Sequence, residues 1–260
     1  MLVLPVLDLL EGVVVRGVAG KRQEYRPVES ALAADSRPLT VARAFRERLG
    51  LDEFYVADLD AILHDRPGSS VLRELAAEGF RLHVDAGLRD AARAQEVLAA
   101  GAQSVVAGLE TLSGPEALRE IVAACGAERV IFSLDLHAGA PLGVRTGWHA
   151  AGAIEIAALA AAAGIHRLLV LDLAGIGLRG GISTLPLCGE LRRRYASWEM
   201  FTGGGARSAA DLRAARDTGL DGALVATALH EGWIARDDVR ALRSAARAGR
   251  AARGHTRELE

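Results

Sequence analysis

Gly87, Arg89 and Gly101 are each followed 118 positions later by the same residue type, at Gly205, Arg207 and Gly219. One offset shared by two consecutive units marks an internal repeat, in which a supersecondary unit is copied and stacked on its neighbours. The correspondence continues with altered spacing. Asp58-Leu59 matches Asp172-Leu173 at 114 positions, and Asp8 matches Asp135 at 127. Loops of unequal length between units absorb the difference, so the chain divides into like halves over about 1–126 and 127–235, with a closing segment over 236–260.

Short β-branched runs alternate with Ala/Leu/Arg-rich stretches of helical period, the pattern of repeated βα units on a parallel sheet. The runs place strands at 2–7, 53–57, 81–84, 104–107, 130–134, 167–171, 198–201 and 222–225. Eight units in two fourfold halves predict an α/β fold, a single (β/α)8 TIM barrel over 1–235 with a half-barrel repeat. At 260 residues and 50% hydrophobic, the chain suffices for one such core. The closing segment begins as a helix and ends as a disordered tail.

Composition narrows the partners. A net charge of -2 supplies no bulk attraction for nucleic acid or anionic membrane. The first apolar run has no basic flank and is broken at Asp8 and Glu11, and the stretch from Ala150 to Ile165 is interrupted by Glu155. A secretory signal and a membrane span are therefore not expected, and the predicted location is cytoplasmic. Cys125 and Cys188 lack CxxC spacing, the seven histidines form no HxxxH or HExxH pair, and no serine sits in a GxSxG elbow. No disulfide, metal, cofactor or serine nucleophile is expected. Gly175 to Gly180 matches GxGxxG, yet a dinucleotide fingerprint belongs to the first βαβ unit; here it lies in the sixth and reads as a loop over the site that contains Gly177.

Loops following the strands of such a barrel gather at one face, where the chemistry resides. Asp8, Asp58, Asp85, Asp135 and Asp172 all point there. Asp58 and Asp172 fit helix caps at least as well as ligands. No helix begins directly after Asp8 or Asp135, which leaves those two as the candidate acid–base pair. Gly203, Gly204 and Gly205 after the seventh strand, with Ala226 and Thr227 after the eighth, form a candidate phosphate cradle, because glycines let backbone N–H groups approach an oxyanion. The matching first-half loops hold Gly87, Arg89 and Gly108, but Asp85 and Ala86 intrude; either Arg89 compensates or this half binds something other than phosphate. Arg16, Gly20, Lys21, Arg22 and Tyr25 lie on a long loop that serves as a lid over an anion or as a solvated surface. Trp148 reads as a stacking platform for a planar ring or as a core anchor.

These residues resemble the HisA/HisF barrels of histidine biosynthesis, and HisA more closely, from Leu4 to about Gly232. The resemblance rests on Leu4-Pro5-Val6-Leu7-Asp8, Val14-Val15-Arg16 with Gly20 and Tyr25, and Asp58-Leu59-Asp60-Ala61. It continues in Leu134-Asp135, Gly147-Trp148, Gly204-Gly205 and Ala228-Leu229. It implies a cofactor-independent Amadori rearrangement of the aminoaldose ProFAR, which carries one phosphate for each half-barrel. In that reading Asp8 is the general base at C2 and Asp135 the general acid at the ring oxygen, and their surroundings must separate their pKa values.

Four departures stand out. Leu171 replaces a Thr before Asp172, Ile176-Gly177-Leu178 replaces Asp-Gly-Thr, and Asp85-Ala86-Gly87-Leu88 replaces Gly-Gly-Gly-Ile. Gly108-Leu109 also stands for Gly-Thr. The alternatives left open are a divergent paralogue with a smaller or singly phosphorylated substrate, as in methanopterin-type one-carbon metabolism, and a lyase or condensation enzyme on such a substrate. A non-catalytic phosphate-ligand-binding barrel and a HisF-like cyclase with a glutaminase partner complete them. The expected partner is a small phosphorylated molecule; oligomeric state is not legible.

Overall fold

The computed structural model describes residues 1–17, 22–142, 147–149, 152–176 and 180–244. Eight parallel strands form the frame: β1 (Leu2–Leu10), β2 (Glu53–Asp58), β3 (Arg81–Asp85), β4 (Ser104–Gly108), β5 (Val130–His137), β6 (Arg167–Asp172), β7 (Glu199–Gly203) and β8 (Gly222–Val225). Each pairs with the next, and β8 returns to β1 with Leu2 opposite Gly222 and Pro5 opposite Val225. This closure makes a (β/α)8 barrel and removes the open edges a sheet otherwise exposes.

The strands read as continuous apolar runs because both of their faces are covered. Leu4, Tyr55, Val106, Ile131, Leu169, Phe201 and Leu224 point inward and pack together inside the barrel. Their neighbours, such as Val3, Phe54, Val105, Val130, Leu168 and Ala223, point outward into a larger core beneath the helices. Local signals start those helices. Asp90 accepts the Arg93 N–H ahead of helix Ala91–Ala99, and Ser208 accepts the Asp211 N–H ahead of helix Ala209–Asp217. Asp58 does the same ahead of the short helix Leu59–His64.

At the N-terminal end of the barrel the inward positions are polar and mutually paired. Arg167 reaches Glu199 at 2.7 Å and the Ser104 hydroxyl at 2.7 Å, while Glu53 meets His83 at 2.9 Å and Arg81 at 3.0 Å. The same end is covered by a helix over 236–244, which buries Val239 and Leu242. The Met1 amino group donates to the Leu242 carbonyl at 2.7 Å, and Arg243 donates to the Gly50 carbonyl. These residues share the barrel's core; the expected disordered tail, 245–260, lies outside the described residues. No helix among the described residues is long and apolar enough to cross a membrane.

Two strands run three residues further than their sequence pattern predicts. β1 continues to Leu10 because Leu9 and Leu10 pair with Val14 and Val13 across a Glu11-Gly12 turn. β5 continues to His137, which pairs with Ala140 across Ala138-Gly139. All four turn residues have positive φ, at 50° and 78° in the first turn and 50° and 82° in the second, the geometry that suits tight hairpins. Neighbouring carboxylates hold both turns: Asp60 accepts the Glu11 N–H at 2.7 Å, and Asp172 accepts those of Ala138 and Gly139 at 3.0 and 3.1 Å. Asp8 and Asp135 therefore sit within hydrogen-bonded strands, where the backbone is stiffer than at the strand–loop junctions expected from sequence.

Candidate active site

Alternation along a strand carries the inward face from Leu4 through Val6 to Asp8, from Ile131 through Ser133 to Asp135, and from His83 to Asp85. All three carboxylates line one cavity of about 240 Å³ at the C-terminal ends of the strands. Pairing puts Asp8 opposite Ala57 and Ala57 opposite Asp85, so two of the carboxylates share a row with one small residue between them. Gly108 makes room for the third. A Cβ there would stand 3.0 Å from the Asp135 carboxylate.

Asp135 is 6% exposed and accepts the Ser133 hydroxyl at 2.5 Å and the Glu110 N–H at 3.3 Å. Asp8 accepts no hydrogen bond from the described residues. Burial, with the Asp85 charge adding to it, lifts Asp8 from its ordinary 3.8 to about 7. Burial also lifts Asp135 to about 7 against the opposing pull of the Ser133 hydroxyl. Burial thus brings both carboxyls into the neutral range, where each can hold or release a proton. Tyr55 touches the same cluster: its hydroxyl donates to Asp85 at 3.3 Å, and burial with the charges of Asp85, Asp135 and Asp8 holds it protonated, well above the usual tyrosine range.

The opposite wall has the reverse polarity. Gly204, Gly205, Arg207, Ala226 and Thr227 line it, and the backbone N–H groups of Gly204, Gly205, Ala226 and Thr227 have no partner among the described residues. Gly204 and Gly205 both hold φ near 89°, which turns successive amides toward one point. A Cβ on Gly205 would collide with the Gly181 carbonyl. Gly205→Ala is accordingly expected to weaken binding of inorganic phosphate by at least about tenfold and to lower Tm by several degrees, from strain of about 1–3 kcal/mol. Isothermal titration beside a thermal melt checks this; unchanged phosphate binding would show that the wall does not act through these amides.

Several other residues do not reach the cavity. Trp148 is 1% exposed and packs on Phe132 with ring centroids 5.3 Å apart, a core anchor. Trp233 instead stands at the rim, 43% exposed. Arg89 turns outward to Asp65 at 3.5 Å. Gly87 donates its N–H to Asp85 at 3.0 Å and has its Cα face against the Ile62 backbone, so it is a packing glycine. Gly203 is buried between Leu171 and Leu224. The Asp172 carboxylate is spent on the N–H groups of Ala138, Gly139 and Ala174 and lies nearest Ser183, which makes it a loop organiser rather than a ligand. Arg16 does line the cavity, in an ion pair with Glu231 at 2.8 Å, and Tyr25 lines it too. Gly20, Lys21 and Gly177, and the side chain of Arg22, lie outside what the structure describes. Sequence reasoning missed Tyr55, Glu110 and Glu231; Tyr55 was within reach, since it lies two residues before Ala57 on an inward register.

Fold and site together define a (β/α)8-barrel protein whose catalytic-face cavity sets neutral-range carboxylates against a wall of open backbone donors. The chain belongs to the histidine biosynthesis protein family, whose model matches residues 2–235. It is 33% identical, over 89% of its length and 94% of the relative's, to a Deinococcus radiodurans protein named as an imidazole-4-carboxamide isomerase, with two phosphoribosyl groups in its substrate's name. A Thermus thermophilus protein of the same name is 30% identical over 90% of this chain and 96% of its own. An uncharacterized protein of Methanocaldococcus jannaschii is 28% identical over 92% of this chain and 97% of its own length.

Proposed function

We propose that this protein is an aldose–ketose isomerase acting on a phosphorylated aminosugar, with Asp135 as general acid and Asp8 as general base. The observation that carries the reading is the pair of buried carboxylates, both lifted to about 7, facing one cavity. The phosphate is held by the amides of Gly204, Gly205, Ala226 and Thr227, with Arg207 beside them. Asp135 gives its proton to the ring oxygen as the C1–O bond breaks, and the amine lone pair closes a C1=N iminium. Asp8 removes the C2 proton; the C–H electrons form C1=C2 and neutralise the iminium. The resulting enaminol loses its C2 hydroxyl proton and gains a proton at C1, giving the aminoketose with no net oxidation.

The sign of the pH dependence follows. Activity rises as Asp8 ionises and falls as Asp135 ionises, so with both groups lifted to about 7 kcat/KM peaks close to pH 7, falls about threefold over the first unit on either side and approaches tenfold per unit beyond it. A flat profile between pH 5 and about 9 would contradict the acid–base assignment. The direct test supplies ProFAR and, separately, an N-aryl 5-phosphoribosylamine in D2O. Conversion of either one, with deuterium at C1 of the aminoketose, is expected; conversion of neither overturns the proposal.

A further inference from the structure

The two ends of the cavity differ in what they offer a substrate. At the end formed by β3 and β4, four loop amides that could reach an oxyanion are already engaged. The Gly87 N–H is bound by Asp85, the Leu109 N–H by the Ser133 carbonyl, the Glu110 N–H by Asp135, and the Thr111 N–H by the Gly108 carbonyl. The nearby cations point elsewhere: Arg89 and Arg93 both reach Asp65, the latter at 2.8 Å. What remains facing the cavity is acceptor-rich, with the carboxylates of Asp85, Asp135 and Glu110 around the bare backbone of Gly108. At the end with Gly204, Gly205 and Thr227 the backbone N–H groups have no partner among the described residues.

We infer that the β3–β4 end of the cavity selects a hydrogen-bond-donating group, a hydroxyl or amine, and rejects phosphate, with Asp85 as the specificity-determining residue. This rests on the proposed isomerase reading, in which phosphate occupies the opposite wall, and adds to it that the substrate carries one phosphate and a polar, non-anionic far end. The physical reason is charge and donor count. A dianionic phosphate placed here would face like charges and find the amides of Gly87, Leu109, Glu110 and Thr111 occupied, whereas a hydroxyl or ammonium finds acceptors prepositioned by Tyr55 and Gly87.

Ribulose 5-phosphate and ribulose 1,5-bisphosphate test this directly, since they differ only in a terminal hydroxyl or phosphate. Isothermal titration of the full chain at pH 8 is expected to show the monophosphate binding at least about tenfold more tightly, and Asp85→Asn to narrow that ratio by at least about fivefold. A thermal melt of the variant verifies its fold, and the wild-type ratio stands as a test without it. Equal or tighter binding of the bisphosphate to the wild-type protein, or an unchanged ratio in a folded Asp85→Asn, overturns the inference and leaves the acid–base reading in place. If neither ligand binds the wild-type protein, the phosphate wall itself is refuted, and the selection at Asp85 falls with it.

Discussion

Asp8→Asn and Asp135→Asn are each expected to lower kcat by about a thousandfold, the scale on which a positioned acid or base contributes. Asparagine keeps the shape and much of the hydrogen bonding of aspartate but neither accepts nor delivers a proton. For Asp135 the change leaves the Ser133 hydroxyl and the Glu110 N–H with an amide to bond. For Asp8 no hydrogen bond from the described residues is disturbed. The two substitutions act on one proton-transfer sequence, so the double variant is expected to be little worse than either single one. Steady-state assays on the isomerised substrate, with circular dichroism to confirm folding, check all three. A folded single variant that keeps more than about a tenth of wild-type kcat would remove that residue from the mechanism.

The same substitutions are expected to stabilise the protein above neutral pH. A carboxyl whose folded-state affinity for protons is raised from 3.8 to about 7 binds its proton more tightly when folded. Folding stability therefore falls as pH climbs from about 4 to about 7 and stays reduced above that range. A shift of this size costs up to about 4 kcal/mol per group at pH 8, an upper bound because the carboxylates interact and Asp8 is partly open to water. Asp8→Asn and Asp135→Asn each remove one such group, and Tm at pH 8 is expected to rise by about 5–10 °C. The gain shrinks toward pH 5, where the folded wild-type protein keeps both protons. Melting curves at the two pH values decide it; a variant that melts lower than wild type at pH 8 would mean that the carboxylates are not strained by burial. Activity and stability thus oppose each other at these positions.

Much of the architecture was open to reading because barrel strands are buried on both faces and announce themselves as apolar runs between helical stretches. The placement of Asp8 and Asp135 at the cavity followed from the same pattern, since a carboxylate ending such a run faces the catalytic end of a barrel. Residues whose roles depend on side-chain direction escaped. Arg89 resembles a phosphate ligand until Asp65, at the end of a short helix, draws it away. Trp148 resembles a stacking platform until Phe132 and the core enclose it, while Trp233 holds the rim. Asp172 has the composition of a ligand and the hydrogen bonds of a loop clamp.

By itself, then, the sequence determined the eight-strand frame and the placement of Asp8 and Asp135 at the cavity, because each depends on local periodicity. Only the tertiary structure decided that Asp85 and Tyr55 join that pair, that burial lifts Asp8 and Asp135 toward neutrality, and that four loop amides at one end of the cavity are engaged while those of Gly204, Gly205, Ala226 and Thr227 have no partner among the described residues. Those properties arise from burial and from charges on strands distant in sequence, and neither exists until the barrel closes.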